Sequence, residues 1–504
     1  MNHLIALPIL IPLVGAILVA LGGWGRLGVQ RALSVVTSLA TLGGAIALVA
    51  LADEGAVLAY HMGDWPAPFG ISLVLDRLSS LLVVLTAVVS LLAILFATRG
   101  QDARGKHFHF LIQMQVLGIN GAFLTGDLFN LFVFFEVLLL ASYALLLHDR
   151  NRQRLQAGVH YVILNLVGSG LFVLSIAMMY GLTGTLNMAD MAVGIAELPA
   201  SDTAFLQAAG ALLLVVFALK AAMVPLYMWL PNVYSAASAP VAAIFAILTK
   251  VGVYAILRTT TLFFGPDAGV AADLAEPFIV PIALFTLVLG ALGALASKEL
   301  GRTVAYLIVA SLGTMLAAIG LFSAEAIAAG LYYLSHSTIA SAGLFLLAGI
   351  IASQRGDLAG RLQAGPRLRQ WSLLGVLFFI ISIAVAGLPP LSGFLGKALI
   401  LEAAVDQPRG FWVWGVVIAT SLLAVLTLAQ AGIAIFWRHQ SAEGAADDTQ
   451  QPPKAVGRVV PVVAMIAVIG AMTILAGPLT EFTSAAAEQL VDPSNYIEGV
   501  FPNR

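Results

Sequence analysis

The sequence predicts an all-α, polytopic membrane protein of about fourteen transmembrane helices. Three observations predict it. Of 504 residues, 60% are hydrophobic and only 10% are charged, against roughly 25% charged in a soluble domain. Apolar runs of about twenty residues, enough to cross a bilayer, recur from end to end. Basic residues gather in every second loop, as expected of a chain threaded repeatedly through a membrane.

In order, the predicted spans are 4–22, 31–52, 79–98, 107–125, 128–147, 158–182, 206–228, 238–262, 277–296, 302–322, 326–352, 371–405, 411–437 and 457–477. The first lacks a basic start and an apolar helix follows at once, so it reads as a retained span and not a cleaved signal. The fourth carries His107, His109, Gln113, Gln115 and Asn120, and should face protein or water instead of lipid. The seventh meets Pro225 and Pro231, and the twelfth is broken at Pro389 and Pro390, because proline removes a backbone donor and clashes with the preceding turn.

Loop charges set the direction. With the N-terminus outside, the inner loops hold Arg26, Arg99, Arg104, Lys106, Arg150, Arg154, Lys298, Arg302, Arg355, Arg361, Arg438 and Lys454. The outer loops hold Asp53, Glu54, Asp64, Asp190, Glu197, Asp202, Asp267, Asp273 and Glu276, with only Arg77 and Arg409 opposing them. One miscounted span would scramble this asymmetry, so both termini are expected outside. The polar stretch 441–458 is expected as a mobile inner loop, and the tail after Thr480 as an external polar stretch.

Composition also excludes functions. There is no cysteine, hence no disulfide, thiolate metal site or iron–sulfur cluster in this chain. A net charge of −2 does not suit a nucleic-acid partner. No glycine-rich phosphate loop, metal-ligand spacing or paired haem histidine is found, and no cofactor is expected.

Four charges remain deep in predicted spans: Glu136, Lys220, Lys250 and Lys397. Each costs about 2.5–3.5 kcal/mol at a helix centre. Together they cost about 10–14 kcal/mol, comparable to the whole stability of a typical protein. A functional role explains that cost better than a structural one.

Glu136 lies in Leu131-Phe-Val-Phe-Phe-Glu-Val-Leu-Leu-Leu140. Dehydrated and alone, a carboxylate takes up a proton, whereas a nearby lysine keeps it ionised. At about 4 Å such a pair is worth about 4 kcal/mol at an effective dielectric near 20. Approach and separation could therefore load and unload a proton; a static pair clamping two helices is the plain alternative. Lys220 precedes the Pro225 break, and irregular backbone at that depth must line a cavity or be buried in protein. Fourteen residues of predicted helix precede it, too many for it to snorkel to an interface. Lys250 lies twelve residues into its span, again far from either surface. Lys397 ends Ala386-Gly-Leu-Pro-Pro-Leu-Ser-Gly-Phe-Leu-Gly-Lys397 and suits a terminal proton site, with a surface-anchoring lysine as alternative. His336, mid-span among hydroxyls in Tyr332-Tyr-Leu-Ser-His-Ser-Thr338, suits a relay between lysines; a neutral histidine bonded to a carbonyl is its bland reading. His160 is a candidate for an entry path. Glu402 stands between proton site and surface carboxylate. Arg258 is expected to snorkel, and His107, His109, His148 and His439 to sit at the interface.

The two broken spans are five apart, so they cross in opposite directions, and each carries a lysine beside its break. That pattern marks an inverted-repeat transporter. The expected division is 1–105 as a three-helix segment, 106–262 and 277–437 as inverted five-helix repeats, and 438–504 as inner loop, last helix and tail.

On these residues the chain resembles the antiporter-like subunits shared by respiratory complex I and the Mrp cation/proton antiporters. The resemblance spans about 110–437. It rests on Phe134-Phe-Glu-Val-Leu-Leu-Leu-Ala-Ser-Tyr-Ala144, on Lys220 followed by Val224-Pro-Leu-Tyr-Met-Trp-Leu-Pro231, on Leu248-Thr-Lys-Val-Gly-Val-Tyr254, and on Gly387-Leu-Pro-Pro-Leu-Ser-Gly-Phe-Leu-Gly-Lys397. It is most similar to the D-type group of the Mrp antiporters, because Tyr227 and Asn232-Val-Tyr234 stand where complex I relatives usually carry histidines. The resemblance implies that Glu136, Lys220, Lys250 and Lys397 translocate protons. Many relatives place a lysine four residues after the His336 position; here it is Ala340.

The expected function is proton translocation coupled to efflux of a monovalent cation, with sodium foremost. The chain would act as one subunit of a hetero-oligomer in a bacterial inner membrane, with protons passing from Glu136 and Lys220 through Lys250 and His336 to Lys397. The alternative is a proton-pumping subunit of a redox-driven complex. Hard cations need several oxygens and Glu136 is the only deep carboxylate, so the cation ligands stay unassigned.

Overall fold

The computed structural model describes residues 2–22, 25–149, 151–266, 268–438 and 456–502. Arg150, Asp267, His439, Lys454 and most of the 441–458 loop lie outside the described residues. The helices run α1 (Leu7–Gly22), α2 (Leu27–Asp53), α3 (Arg77–Ala97), α4 (Phe108–Leu124), α5 (Leu128–Leu146), α6 (Arg152–Thr183), α7 (Met188–Ala196), α8 (Thr203–Lys220), α9 (Trp229–Ala236) and α10 (Ala239–Phe263). They continue as α11 (Glu276–Ala296), α12 (Leu300–Ile319), α13 (Ala324–Gln354), α14 (Trp371–Ala386), α15 (Ser392–Ala403), α16 (Gly410–Gly432), α17 (Val456–Ile474), α18 (Ala476–Val491) and α19 (Pro493–Val500). Between α2 and α3 lies a small antiparallel hairpin, β1 (Leu58–His61) with β2 (Ser72–Leu75), which the all-α expectation lacks.

Among the described residues, twelve helical segments are long and apolar enough to cross a membrane, and α4 and α14 are shorter apolar helices beside them. The chain is a multi-pass membrane protein. Helix starts follow local chemistry: Asp127, Asn151 and Ser323 accept backbone N–H bonds that α5, α6 and α13 would otherwise leave open. Helices α10, α12 and α13 are buried over nearly their whole length, while α1, α2, α16 and α17 show most of their surface. The candidate residues therefore sit on or beside the most enclosed helices. Small residues permit that closeness. A Cβ at Gly290 of α11 would lie 2.4 Å from the Ala310 nitrogen of α12, and one at Gly313 would lie 2.4 Å from that of Leu287.

Two expectations need correction, and two others gain detail. The seventh span does not run to 228: α8 ends at Lys220 and the chain turns before α9, because the cost of Pro225 in a helix is met by stopping a turn early. The tail after Thr480, expected only as an external polar stretch, forms most of α18 and all of α19. Thr483, Ala486, Ala487 and Leu490 make one buried stripe of α18 at helical spacing, packed on α13 and α3.

Arg258 does not snorkel. It is 4% exposed, bonds Asp76 at 2.5 Å, and lies 4.9 Å from the centre of the Tyr496 ring of α19. The tail that covers it is what removes its route to water. His109, beside the loop before α4, is fully buried in protein, with Nε2 3.1 Å from Asp102. Burial alone would push the Asp102 carboxyl up, but the Arg31 guanidinium, bonded at 2.6 and 2.8 Å, and His109 hold it well below the usual carboxylate range.

Candidate functional site

Glu136 sits mid-way along α5 and is half-buried. Its carboxylate accepts a hydrogen bond from the Ser169 hydroxyl of α6. Lys220, the last residue of α8, is 5% exposed and donates from Nζ to Asn165 Oδ1 of α6 at 3.1 Å. Glu136 is the charge that acts on Lys220, yet the two make no direct ion pair among the described residues. An aromatic wall flanks them. Phe172 packs edge-on to Phe217 at 5.2 Å, and Lys220 Nζ lies 5.8 Å from the Phe135 ring centre. With water excluded on that side, charge–charge coupling across the gap is strengthened.

The break after α8 is satisfied by named partners, as irregular backbone at membrane depth must be. Trp229 Nε1 donates to the Leu219 carbonyl at 3.2 Å. Val224 N donates to Thr286 Oγ1 of α11 at 3.0 Å, tying the first break to the second half of the chain. Helix α10 crosses this point at Gly252, where a Cβ would lie 2.4 Å from the Ala221 nitrogen. Lys250, two residues before, is fully buried, and its Nζ has no hydrogen-bond partner among the described residues.

At the second break the titratable groups themselves satisfy the freed backbone. Lys397 Nζ donates to the Ala386 carbonyl at 2.9 Å and to Ser421 Oγ of α16 at 2.8 Å. His336 of α13 places Nε2 3.1 Å from the Ala384 carbonyl and Nδ1 2.8 Å from Ser392 Oγ. The carbonyl can only accept, so Nε2 carries a proton in that bond, and Nδ1 is the nitrogen left to face the Ser392 hydroxyl, which also reaches the Ile469 carbonyl at 3.5 Å. Gly387 is required here: its φ is +77°, and a Cβ would lie 2.7 Å from Lys397 Cδ. His336 and Lys397 line one cavity of about 30 Å³ together with Ser311, Thr314, Ser337 and Thr420, room for an ordered water between polar groups.

The structure thus groups the predicted residues in two sets, Glu136 with Lys220 and His336 with Lys397, with Lys250 on α10 beside the first. His160 faces outward on α6. Glu402 lines a separate cleft with Glu325 and Asp406. Sequence reasoning missed Asn165, Ser169, Ser392 and Ser421. Small polar residues in apolar helices are common, and only their neighbours mark these four.

Residues 125–427, which include both sets and Lys250, match the family model described as NADH:quinone oxidoreductase/Mrp antiporter, TM. The chain is 37% identical to a Rhizobium meliloti protein named as the D component of a probable K(+)/H(+) antiporter, over 99% of this chain and 98% of the relative. It is 38% identical to the D component of a Na(+)/H(+) antiporter of Alkalihalophilus pseudofirmus, over 99% of both. Its fold is similar to that of a chain in the solved Mrp complex from Dietzia sp., with a TM-score of 0.87 and 28% identity, covering 99% of this chain and all of that one. With more than half of its length matched by the family model and full-length relatives above 30% identity, the chain belongs to the NADH:quinone oxidoreductase/Mrp antiporter family of membrane subunits.

Proposed function

We propose that this chain is the proton-translocating subunit of a multisubunit monovalent cation/proton antiporter. The carrying observation is a set of ionisable groups kept within apolar helices at or beside two helix breaks, of which Lys250 has no hydrogen-bond partner among the described residues. A lysine held this way gains no local bond from its charge, so a structural role does not explain its retention. Lysine suits the task because it releases its proton when desolvated, which arginine does not. Protons pass from Glu136 and Lys220 to Lys250, then through His336 to Lys397, whose shared cavity has room for a water. His336 needs Ser392 and the cavity as well as its ring, since the second lysine of many relatives is Ala340 here. The two full-length relatives are named for potassium and for sodium, so the proposed cation is of the monovalent class. Tyr227 and Asn232 favour antiport over redox-driven pumping.

The arrangement proposed is two inverted repeats, 106–262 and 277–437, in a bacterial inner membrane with both termini outside. The lack of native cysteine makes labelling of introduced cysteines unambiguous. Cysteines replacing Ala103 and Asp357 should react only with reagent on the cytoplasmic side, and those replacing Ser201 and Val491 only with reagent outside. A single reversed position would overturn the topology. The function itself is tested in vesicles carrying the complete complex with a proton gradient imposed. Adding a monovalent cation should collapse that gradient with no electron donor present. Proton movement that requires a donor and ignores sodium, potassium and lithium would overturn the reading in favour of a redox-driven pump.

A further inference from the structure

Resting on that reading, the geometry points to Asn165 and Ser169 of α6 as positioning residues that hold Glu136 and Lys220 apart as two separately bonded charges. The residues are four apart and therefore share one helix face, with Tyr161 four earlier on the same face. Each contacts a different member of the pair: Ser169 donates to the Glu136 carboxylate, and Asn165 accepts from Lys220 Nζ at 3.1 Å. The Asn165 amide is fixed from behind, since its Nδ2 donates to the Tyr161 carbonyl at 2.9 Å. The Tyr161 hydroxyl in turn lies 3.0 Å from Ser142 Oγ of α5. Helix α6 also sits hard against α8, because a Cβ at Gly168 would lie 2.5 Å from Leu219 Cδ2 and 3.9 Å from Lys220 Nζ.

A carboxylate and an ammonium this deep attract each other strongly if nothing else bonds them. The α6 face supplies the competitor. Closing the pair means exchanging the Ser169 and Asn165 bonds for a direct ion pair, and opening it restores them. The balance between the two arrangements then sets how readily Lys220 gives up its proton toward Lys250. The hydroxyl and the amide do not themselves gain or lose charge; they fix which partner each charged group has.

The test uses the complete complex in vesicles, with assembly checked by co-purification. Position 169 is compared as Ser169→Thr and Ser169→Val, which share a shape and differ in the hydroxyl. Ser169→Thr should keep the wild-type pH profile of exchange. Ser169→Val and Ser169→Ala should move the half-maximal pH by about one unit or more, the worth of a hydrogen bond to a charged group. Asn165→Asp gives Lys220 a permanent anionic partner and should lower maximal exchange about tenfold or more, with the cation KM unchanged. Identical pH profiles for the Thr and Val variants, or full turnover in Asn165→Asp, would overturn the assignment. Exchange by the wild-type control upholds the antiport reading whatever the variants do, so the two claims fail separately.

Discussion

Glu136→Ala or Lys220→Ala should reduce cation–proton exchange to below about one hundredth of wild type, a loss of about 2.7 kcal/mol or more in the rate-limiting barrier, while the complex still assembles. Both groups lie on already formed helices and each has its own α6 partner, so neither is the sole support of the local fold. What is lost is the charge coupling across the gap. Without Glu136, the charged form of Lys220 keeps, among the described residues, only the neutral Asn165 amide and the face of the Phe135 ring. Without Lys220, the carboxylate faces an aromatic wall with one hydroxyl bond. Lys220→Arg should be nearly as poor, because a guanidinium stays protonated and cannot pass its proton on. Exchange in reconstituted vesicles is the measurement, with co-purified partner chains as the control. Vigorous exchange by either assembled alanine variant would remove the pair from the mechanism.

The largest expected stability effect lies at the opposite kind of charge pair. Asp76→Ser keeps an oxygen able to cap α3, where Asp76 now accepts from Ser79 N at 2.8 Å, but it removes the charge opposite Arg258. Both side chains are buried, with 4% and 5% exposed. An unpaired buried charge costs about 3–5 kcal/mol, so Asp76→Ser should sharply reduce the amount of assembled protein and its melting temperature. Replacing both partners, Asp76→Ser with Arg258→Met, should recover most of the loss, because the cost lies in the unpaired ion and not in a missing attraction. Single and double variants melting alike would show that this pair is not closed to water.

The contrast between these sites explains what can be read from the chain alone. Glu136, Lys220, Lys250 and Lys397 stand out because a charge in an apolar run is a local contradiction, visible without knowing what surrounds it. The two breaks are legible for the same reason, since proline acts on its own helix. Arg258 escapes such reading because the residue that holds it, Asp76, and the ring that covers it, Tyr496, come from distant parts of the sequence. The tail helices are hidden by their composition: α18 docks with a stripe of only Thr483, Ala486, Ala487 and Leu490, so no long apolar run announces it. From sequence, Glu136 and Lys220 are expected as a pair that approaches and separates. In the structure each is bonded to an α6 side chain, Ser169 and Asn165, and those side chains are too ordinary to stand out in the sequence.

The proposed proton path along the buried ionisable residues of this chain hangs above all on Lys250. It is fully buried and without a hydrogen-bond partner among the described residues, so Lys250→Met removes a buried amine that makes no hydrogen bond there and fills its volume with an unbranched apolar side chain. Folding should stand or improve, which separates function from stability. The measurement is cation-driven proton movement in vesicles containing the assembled Lys250→Met complex. This movement should stop while the complex purifies at wild-type yield and melts no lower. Undiminished proton movement in that variant would rule out a path through Lys250.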